Sequence, residues 1–209
     1  YEEFKQTLFS LGQTPIPSWV KERPEPEDAE NYQTIFAKNE GAVAAPAAGL
    51  HFSRELFNRM ILKDINSAFI TLHMGIGNFR NVDVEDLSKH KTDSERLIIS
   101  EETAELINST HRKGHKVLAV GVTTAKGLET YVTTNDEVNP YDGWTNKFIF
   151  PPYRYAIPDA LVSNFHLPGS TMLMAVAAFG GFDKVMEAYR QALEGDYKFG
   201  PYGDALLII

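Results

Sequence analysis

Ala160-Leu-Val-Ser-Asn-Phe-His-Leu-Pro-Gly-Ser-Thr171 is the stretch from which the rest of the chain can be read. Ala160-Leu161-Val162 is a short apolar run with the character of a buried strand. Pro168-Gly169 is turn chemistry, and Ser170-Thr171 opens an apolar helix to Phe179. Asn164 and His166 fall between strand end and helix start, where α/β proteins place the polar groups that do chemistry. The Phe150-Pro151-Pro152-Tyr153 turn stands just upstream. This stretch is the provisional centre of an active site.

Outward from it, helices and strands alternate. Phe4, Leu8, Phe9 and Leu11 recur near helical spacing and Gly12 follows as a stop. Ser53 caps a helix whose apolar face carries Leu56, Phe57, Met60 and Ile61. Ser100 caps another over Glu101 to Lys113, with an acidic first turn, a basic last turn and Gly114 as its stop. Gly121-Val-Thr-Thr124 opens a helix carrying Leu128 and Tyr131, and Phe182 to Leu193 forms the last one. Strands are expected at Ala68–Leu72, Val117–Val120, Phe148–Phe150, Ala160–Val162 and Ala205–Ile209, with a polar loop at Thr133–Thr145. Apolar strands alternating with helices predict an α/β fold with mostly parallel strands, as an open sheet or a barrel.

Composition narrows the function classes. The 209 residues contain no cysteine, which removes disulfides, thiolate nucleophiles and Cys-based metal sites together and suits a reducing cytoplasm. A formal charge of −8 excludes nucleic-acid binding driven by overall charge, though not by a local basic patch. No apolar run has the length to cross a bilayer, so no membrane partner is expected. The sequence starts at Tyr1 without a methionine, already inside an amphipathic pattern, and is expected to be a piece of a longer chain.

The polar positions share one regularity. His73 follows one strand, Thr123 and Thr124 the next, Asn164 and His166 a third, and His51 a glycine-rich segment. In a parallel α/β fold these ends converge on one rim. His51, His73 and His166 each sit beside glycine or proline at an element end, and an imidazole suits proton transfer near neutrality. Gly75-Ile76-Gly77 is not a dinucleotide fingerprint, because Arg80 stands where a third glycine is needed. Its amides can hold an anion in a tight turn. Thr123 and Thr124 can serve a carboxylate or phosphate, or simply cap their helix. His90, His111 and His115 lie in polar surroundings and read as structural. There is no H-E-x-x-H zinc motif and no G-x-S-x-G elbow, and no metal is expected.

Together these motifs resemble one family, the S-adenosylmethionine:tRNA ribosyltransferase-isomerases of queuosine biosynthesis. The matching pieces are Ala42-Val-Ala-Ala-Pro46 through Gly49-Leu-His-Phe52, Thr71-Leu-His-Met-Gly-Ile-Gly77 with Phe79, and His90 with Ser94-Glu95. They continue through Ala119-Val-Gly121 with Thr123, Leu128-Glu129, Phe148-Ile149 with Pro151 to Tyr153, Asn164-Phe-His-Leu-Pro168 with Ser170-Thr171, and Tyr202-Gly-Asp-Ala205. The resemblance runs from about Phe4 to the end. It implies an α/β barrel-like main domain, here incomplete at its N-terminal side, with the family's inserted β-barrel domain largely absent. Residues 1–40 would be the connector returning from that insertion, and residues 41–209 the C-terminal part of the main domain.

The implied reaction moves and isomerises the ribosyl group of S-adenosylmethionine, as co-substrate, onto 7-aminomethyl-7-deazaguanine in the tRNA anticodon region. Epoxyqueuosine is formed, and adenine and methionine leave. The resemblance implies catalytic roles for His51, His73, His166 and Glu129. It implies substrate contacts from Gly49, Gly75, Gly77, Glu95, Thr123, Thr124, Lys126, Tyr153, Asn164 and Asp204. Within the motifs, Ala47, Asn78, Asp93, Val122 and Lys126 depart from the family pattern, and lysine in place of arginine removes a planar bidentate fork. Those departures leave two alternatives beside the enzyme itself: a paralogue acting on another nucleoside or acceptor, and a non-catalytic binding module.

Overall fold

The computed structural model describes residues 2–209. In chain order its elements are α1 (Glu2–Leu11), α2 (Asp28–Asn31), α3 (Ala47–Leu50), α4 (Arg54–Ile61), β1 (Thr71–His73), β2 (Glu95–Ile99), α5 (Glu101–Arg112), β3 (Leu118–Val120), α6 (Val122–Leu128), β4 (Tyr141–Thr145), β5 (Ala160–Asn164), α7 (Thr171–Gly180), α8 (Phe182–Glu194) and β6 (Ala205–Ile208). The serine caps behave as their positions predict. Ser53, Ser100 and Ser170 accept the backbone N–H groups of Leu56, Thr103 and Leu173, each satisfying an orphan donor of a helix start.

The expected α/β class holds, but the mostly parallel sheet does not. The strands form two three-stranded sheets, ordered β1-β2-β4 and β3-β5-β6. Of the four strand pairings among the described residues only β3 with β5 is parallel. Connection parity supplies the reason. A single helical crossover returns the chain parallel, whereas β5 and β6 are joined by two helices, α7 and α8, and the second undoes the reversal made by the first.

Three further expectations are corrected. The predicted polar loop at Thr133–Thr145 contains β4, which pairs with β2 over five positions from Glu95↔Thr145 to Ile99↔Tyr141. It reads as loop because it is a sheet edge: Asp142 and Trp144 face solvent, and Asp142 pairs across the strands with Arg96. Conversely, Phe148–Phe150 is not a strand. It runs into the turn closed by the Tyr153 N–H on the Phe150 carbonyl at 3.0 Å. The strand expected at Ala68–Leu72 is displaced to Thr71–His73.

Each sheet carries its own core. Leu161 and Val176, wholly buried, centre the cluster between β3-β5-β6 and helices α6, α7 and α8, joined by Ala125, Phe165, Val185 and Tyr189. Leu97, Ile99, Ala104, Ile107, Leu128, Val138 and Ile157 form the second, under β2 and α5. Each fully buried aliphatic side chain contributes about 1.5–3 kcal/mol. The segment before residue 41 packs onto this body: Tyr32 lies edge-on to Tyr202, and Tyr202 donates to Asp28 at 3.1 Å. Among the described residues no helix is long and apolar enough to cross a membrane.

Candidate functional site

A cavity of about 290 Å³ opens at the carboxyl ends of β3 and β5. Its floor is Ser163, Asn164, His166 and Leu167 from the end of β5, with Gly121, Val122 and Thr123 from the turn into α6. Gly121 has φ +97°, and a side chain there would be strained, so glycine lets the chain leave β3 and enter α6 in one residue. Ala44 to Ala48 and Met74 form another side. Trp19, Tyr32, Phe79 and Met172 make the walls largely aromatic and thioether in character.

His166 is set by its neighbours. Its backbone N–H donates to the Tyr189 hydroxyl at 2.9 Å, and its Nε2 lies 2.9 Å from Ser163 Oγ. Burial lowers its pKa to about 4, because the cationic form loses solvation, so the ring is neutral at physiological pH. Asn164 is 2% exposed, and its Nδ2 donates to the carbonyls of Gly200, Pro201 and Gly203 at 2.9, 3.3 and 3.3 Å. Three acceptors around one amide nitrogen leave Oδ1 pointing away, and Oδ1 has no partner among the described residues. Asp204 completes that loop, accepting the Lys198 N–H at 2.7 Å. Asn164 and Asp204 therefore hold the loop that closes one side of the cavity.

Beside it lies a smaller cavity of about 30 Å³, sharing Val122 and Met172 with the first and large enough for one water. Gly77, Asp93, Glu95, Lys126 and Lys147 line it. Lys126 and Glu95 form an ion pair with side chains 14% and 3% exposed. A Cβ on Gly77 would collide with the Asp93 carboxylate, so any side chain there would have to displace Asp93. Asp93 also pairs with Arg80 at 3.3 Å, and Arg80 lines the larger cavity, which links the two. Burial lowers the Lys147 ammonium below its ordinary pKa, against the pull of Glu129.

The expected residues thus separate. Thr123, Asn164 and His166 line the large cavity, and Gly77, Glu95 and Lys126 the small one. The Thr123 hydroxyl does not cap α6, while the Thr124 hydroxyl is spent on the Val120 carbonyl at 2.8 Å. His51 stands exposed in a separate surface depression with Lys21, Asp28 and Tyr202. His73 lies half-buried in β1 with its ring against Gly41, where a Cβ would come 2.6 Å from Nδ1. Glu129 is 2% exposed, and its carboxylate is taken up by protein donors: the Tyr153 hydroxyl at 2.6 Å and the N–H groups of Ala156 and Ile157, both at 2.8 Å. Burial first, and then that bond to Glu129, push the Tyr153 hydroxyl well above the usual phenol range. Gly49 is needed for packing, since a Cβ would meet Phe36 at 2.7 Å and Thr34 at 2.9 Å, whereas Gly75 faces open space. The side chain of Asn78 lies outside the described residues. His111 pairs with Asp159 at 3.0 Å and Arg112 with Glu105 and Glu137, in keeping with a structural reading of His111 and of the basic last turn of α5.

Sequence reasoning missed Trp19, Tyr32, Arg80, Lys147 and Ser163. Of these, only Ser163 carried a usable signal, as the hydroxyl three residues before His166 at the end of the strand.

With this geometry in place, the comparisons with known proteins decide the family. The family described as queuosine biosynthesis protein matches residues 1–208. The chain belongs to that family. It is 55% identical over 209 residues to an S-adenosylmethionine:tRNA ribosyltransferase-isomerase of Phocaeicola vulgatus, covering 100% of this chain and 60% of the relative. A Bacteroides fragilis protein of the same name is 56% identical over 210 residues, with the same coverage. The crystal structure of an S-adenosylmethionine tRNA ribosyltransferase from Thermotoga maritima superimposes with a TM-score of 0.65 at 41% identity, covering 78% of this chain and 51% of that one. This member of the queuosine biosynthesis family therefore spans about 60% of the length of the curated relatives it matches.

Proposed function

We propose that the protein transfers and isomerises the ribosyl group of S-adenosylmethionine onto 7-aminomethyl-7-deazaguanine in the anticodon region of tRNA, giving epoxyqueuosine with release of adenine and methionine. The observation that carries this reading is the cavity at the β5 end, built from Asn164, His166 and Thr123 inside a chain matched to the family along residues 1–208. We also propose that residues 41–209 are the C-terminal part of a barrel-like main domain and residues 1–40 the connector into it. The place of action on tRNA is the cytoplasm.

The chemistry asks for three things, and the cavity supports each. The sulfonium acidifies the adjoining 5′ carbon, and a neutral imidazole is in the protonation state to take a proton there. His166 is held neutral and lines the cavity. A sulfonium with its adenine and methionine arms needs apolar and polarisable walls, which Trp19, Tyr32, Phe79, Met74 and Met172 supply. The attacking amine must arrive unprotonated, and the adjoining Asp93–Arg80 and Glu95–Lys126 pairs present a polar flank with its charges already matched.

Adenine release from S-adenosylmethionine, dependent on a tRNA bearing the aminomethyl-deazaguanine, tests the reading. Release that disappears with unmodified tRNA supports it; no release from either tRNA refutes it.

A further inference from the structure

The hydrogen bonds around His166 assign its tautomer. Ser163 Oγ is fully buried and lies 3.0 Å from the Asn164 carbonyl, to which it donates, and 2.9 Å from His166 Nε2. A serine hydroxyl has one proton. With that proton committed to the carbonyl, the contact to the ring requires Nε2 to carry a hydrogen and donate it to Oγ. In the neutral ring Nδ1 then holds a lone pair. Nδ1 has no hydrogen-bond partner among the described residues, yet it is not one of the occluded unpartnered atoms, so it retains open surface. The residue itself lines the large cavity.

We propose that Ser163 is a positioning residue that locks His166 as the Nε2–H tautomer and presents the Nδ1 lone pair to the cavity as an acceptor for an N–H, O–H or C–H proton of the bound substrate. The identity of that substrate rests on the function proposed above, whereas the tautomer does not. The neighbours enforce the arrangement. Tyr189 pins the backbone of His166 from α8, and Asn164, next to Ser163, is tied to three carbonyls of the Gly200–Gly203 loop, so neither end of the contact is free to drift. Among the described residues no carboxylate takes part. An ordinary Asp–His pair would raise the imidazole pKa, whereas a neutral hydroxyl orients the ring without stabilising its charged form.

Long-range proton–nitrogen correlation on the chain labelled with ¹⁵N-histidine reads this directly. The six histidines are distinguished by the signals missing from His166→Gln. At neutral pH the His166 Nε2 should show a pyrrole-type shift and Nδ1 a pyridine-type shift. A protonated Nδ1, or an imidazolium pattern, overturns the proposal. Ser163→Ala should turn the single tautomer into a mixture and Ser163→Thr should restore it. An unchanged single tautomer in Ser163→Ala overturns the role of the serine. If Ser163→Ala does not fold, the wild-type spectrum still decides. In the adenine-release assay kcat should fall roughly tenfold in Ser163→Ala with little change in KM, and recover in Ser163→Thr. The expected tautomer without adenine release would sink the proposed reaction and leave the tautomer assignment standing; release with the opposite tautomer would do the reverse.

Discussion

The Tyr189 hydroxyl accepts the backbone N–H of His166 at 2.9 Å, so a side chain of α8 completes the hydrogen bonding of the strand end that carries the site. Tyr189 is buried, its ring lies edge-on to Phe165 at 5.1 Å, and burial raises its pKa to about 12. A hydrogen bond and a ring contact thus tie α8 to the strand end that lines the cavity.

Tyr189→Phe keeps the ring contacts and removes only the acceptor. The His166 N–H is then left unpaired in a half-buried position, at a cost of about 1–3 kcal/mol. Urea unfolding should show this loss with an unchanged m-value. A loss below about 0.5 kcal/mol would mean that water replaces the hydroxyl.

Asn164 is predicted to hold the Lys198–Asp204 loop. Asn164→Asp should be more damaging than Asn164→Ala, because a carboxylate would face the three carbonyl oxygens of Gly200, Pro201 and Gly203 that now accept from the amide. Hydrogen exchange should report faster opening of residues 198–204 in both variants. Equal protection in Asn164→Asp and the wild type would count against the loop-holding role.

The Lys126–Glu95 pair is nearly dry, so its two halves are not independent. Lys126→Met should cost on the order of 1–3 kcal/mol by taking the cationic partner from a buried carboxylate, whereas the double variant Lys126→Met with Glu95→Leu should recover part of that loss. A double-mutant cycle in urea checks this. Additive losses would show that the two groups do not interact.

His166 predicts a pH dependence of stability. Its folded pKa of about 4 lies below the unfolded value near 6.5. Between the two, the unfolded chain binds more protons, so stability falls as pH drops from about 6.5 toward about 4 and levels off below. The shift corresponds to at most about 3 kcal/mol, and the half-buried position of His166 reduces the expected size to about 1–2. His166→Gln should lack this contribution. The stability gap between variant and wild type should therefore narrow on acidification, and a gap constant with pH would show an imidazole of ordinary pKa.

Much of the helical layout was legible because its signals are local. Ser53, Ser100 and Ser170 mark helix starts whose hydrogen bonds close within three residues. The Asn164–His166 strand end was legible for the same reason, as a polar cluster between an apolar run and a Pro-Gly turn. Strand β4 was hidden because a polar edge strand has no hydrophobic pattern of its own. Its partner β2 lies 48 positions away at Arg96↔Trp144, and only that pairing makes it a strand. Glu129, paired here with Tyr153, Ala156 and Ile157, looks in sequence the same as a catalytic carboxylate, because a side chain's partners are not written beside it.

By itself the sequence determined the α/β class, the serine-capped helix starts, the family resemblance and the polar strand end at Asn164 to His166. Tertiary structure alone decided which histidine shares a cavity with Thr123 and Asn164, that Trp19 from the N-terminal segment walls that cavity, and that Ser163 touches His166 Nε2. The physical reason is range. Caps and turns are satisfied by neighbours in the chain, whereas burial, ion pairing and the choice of tautomer depend on groups that only the fold brings together.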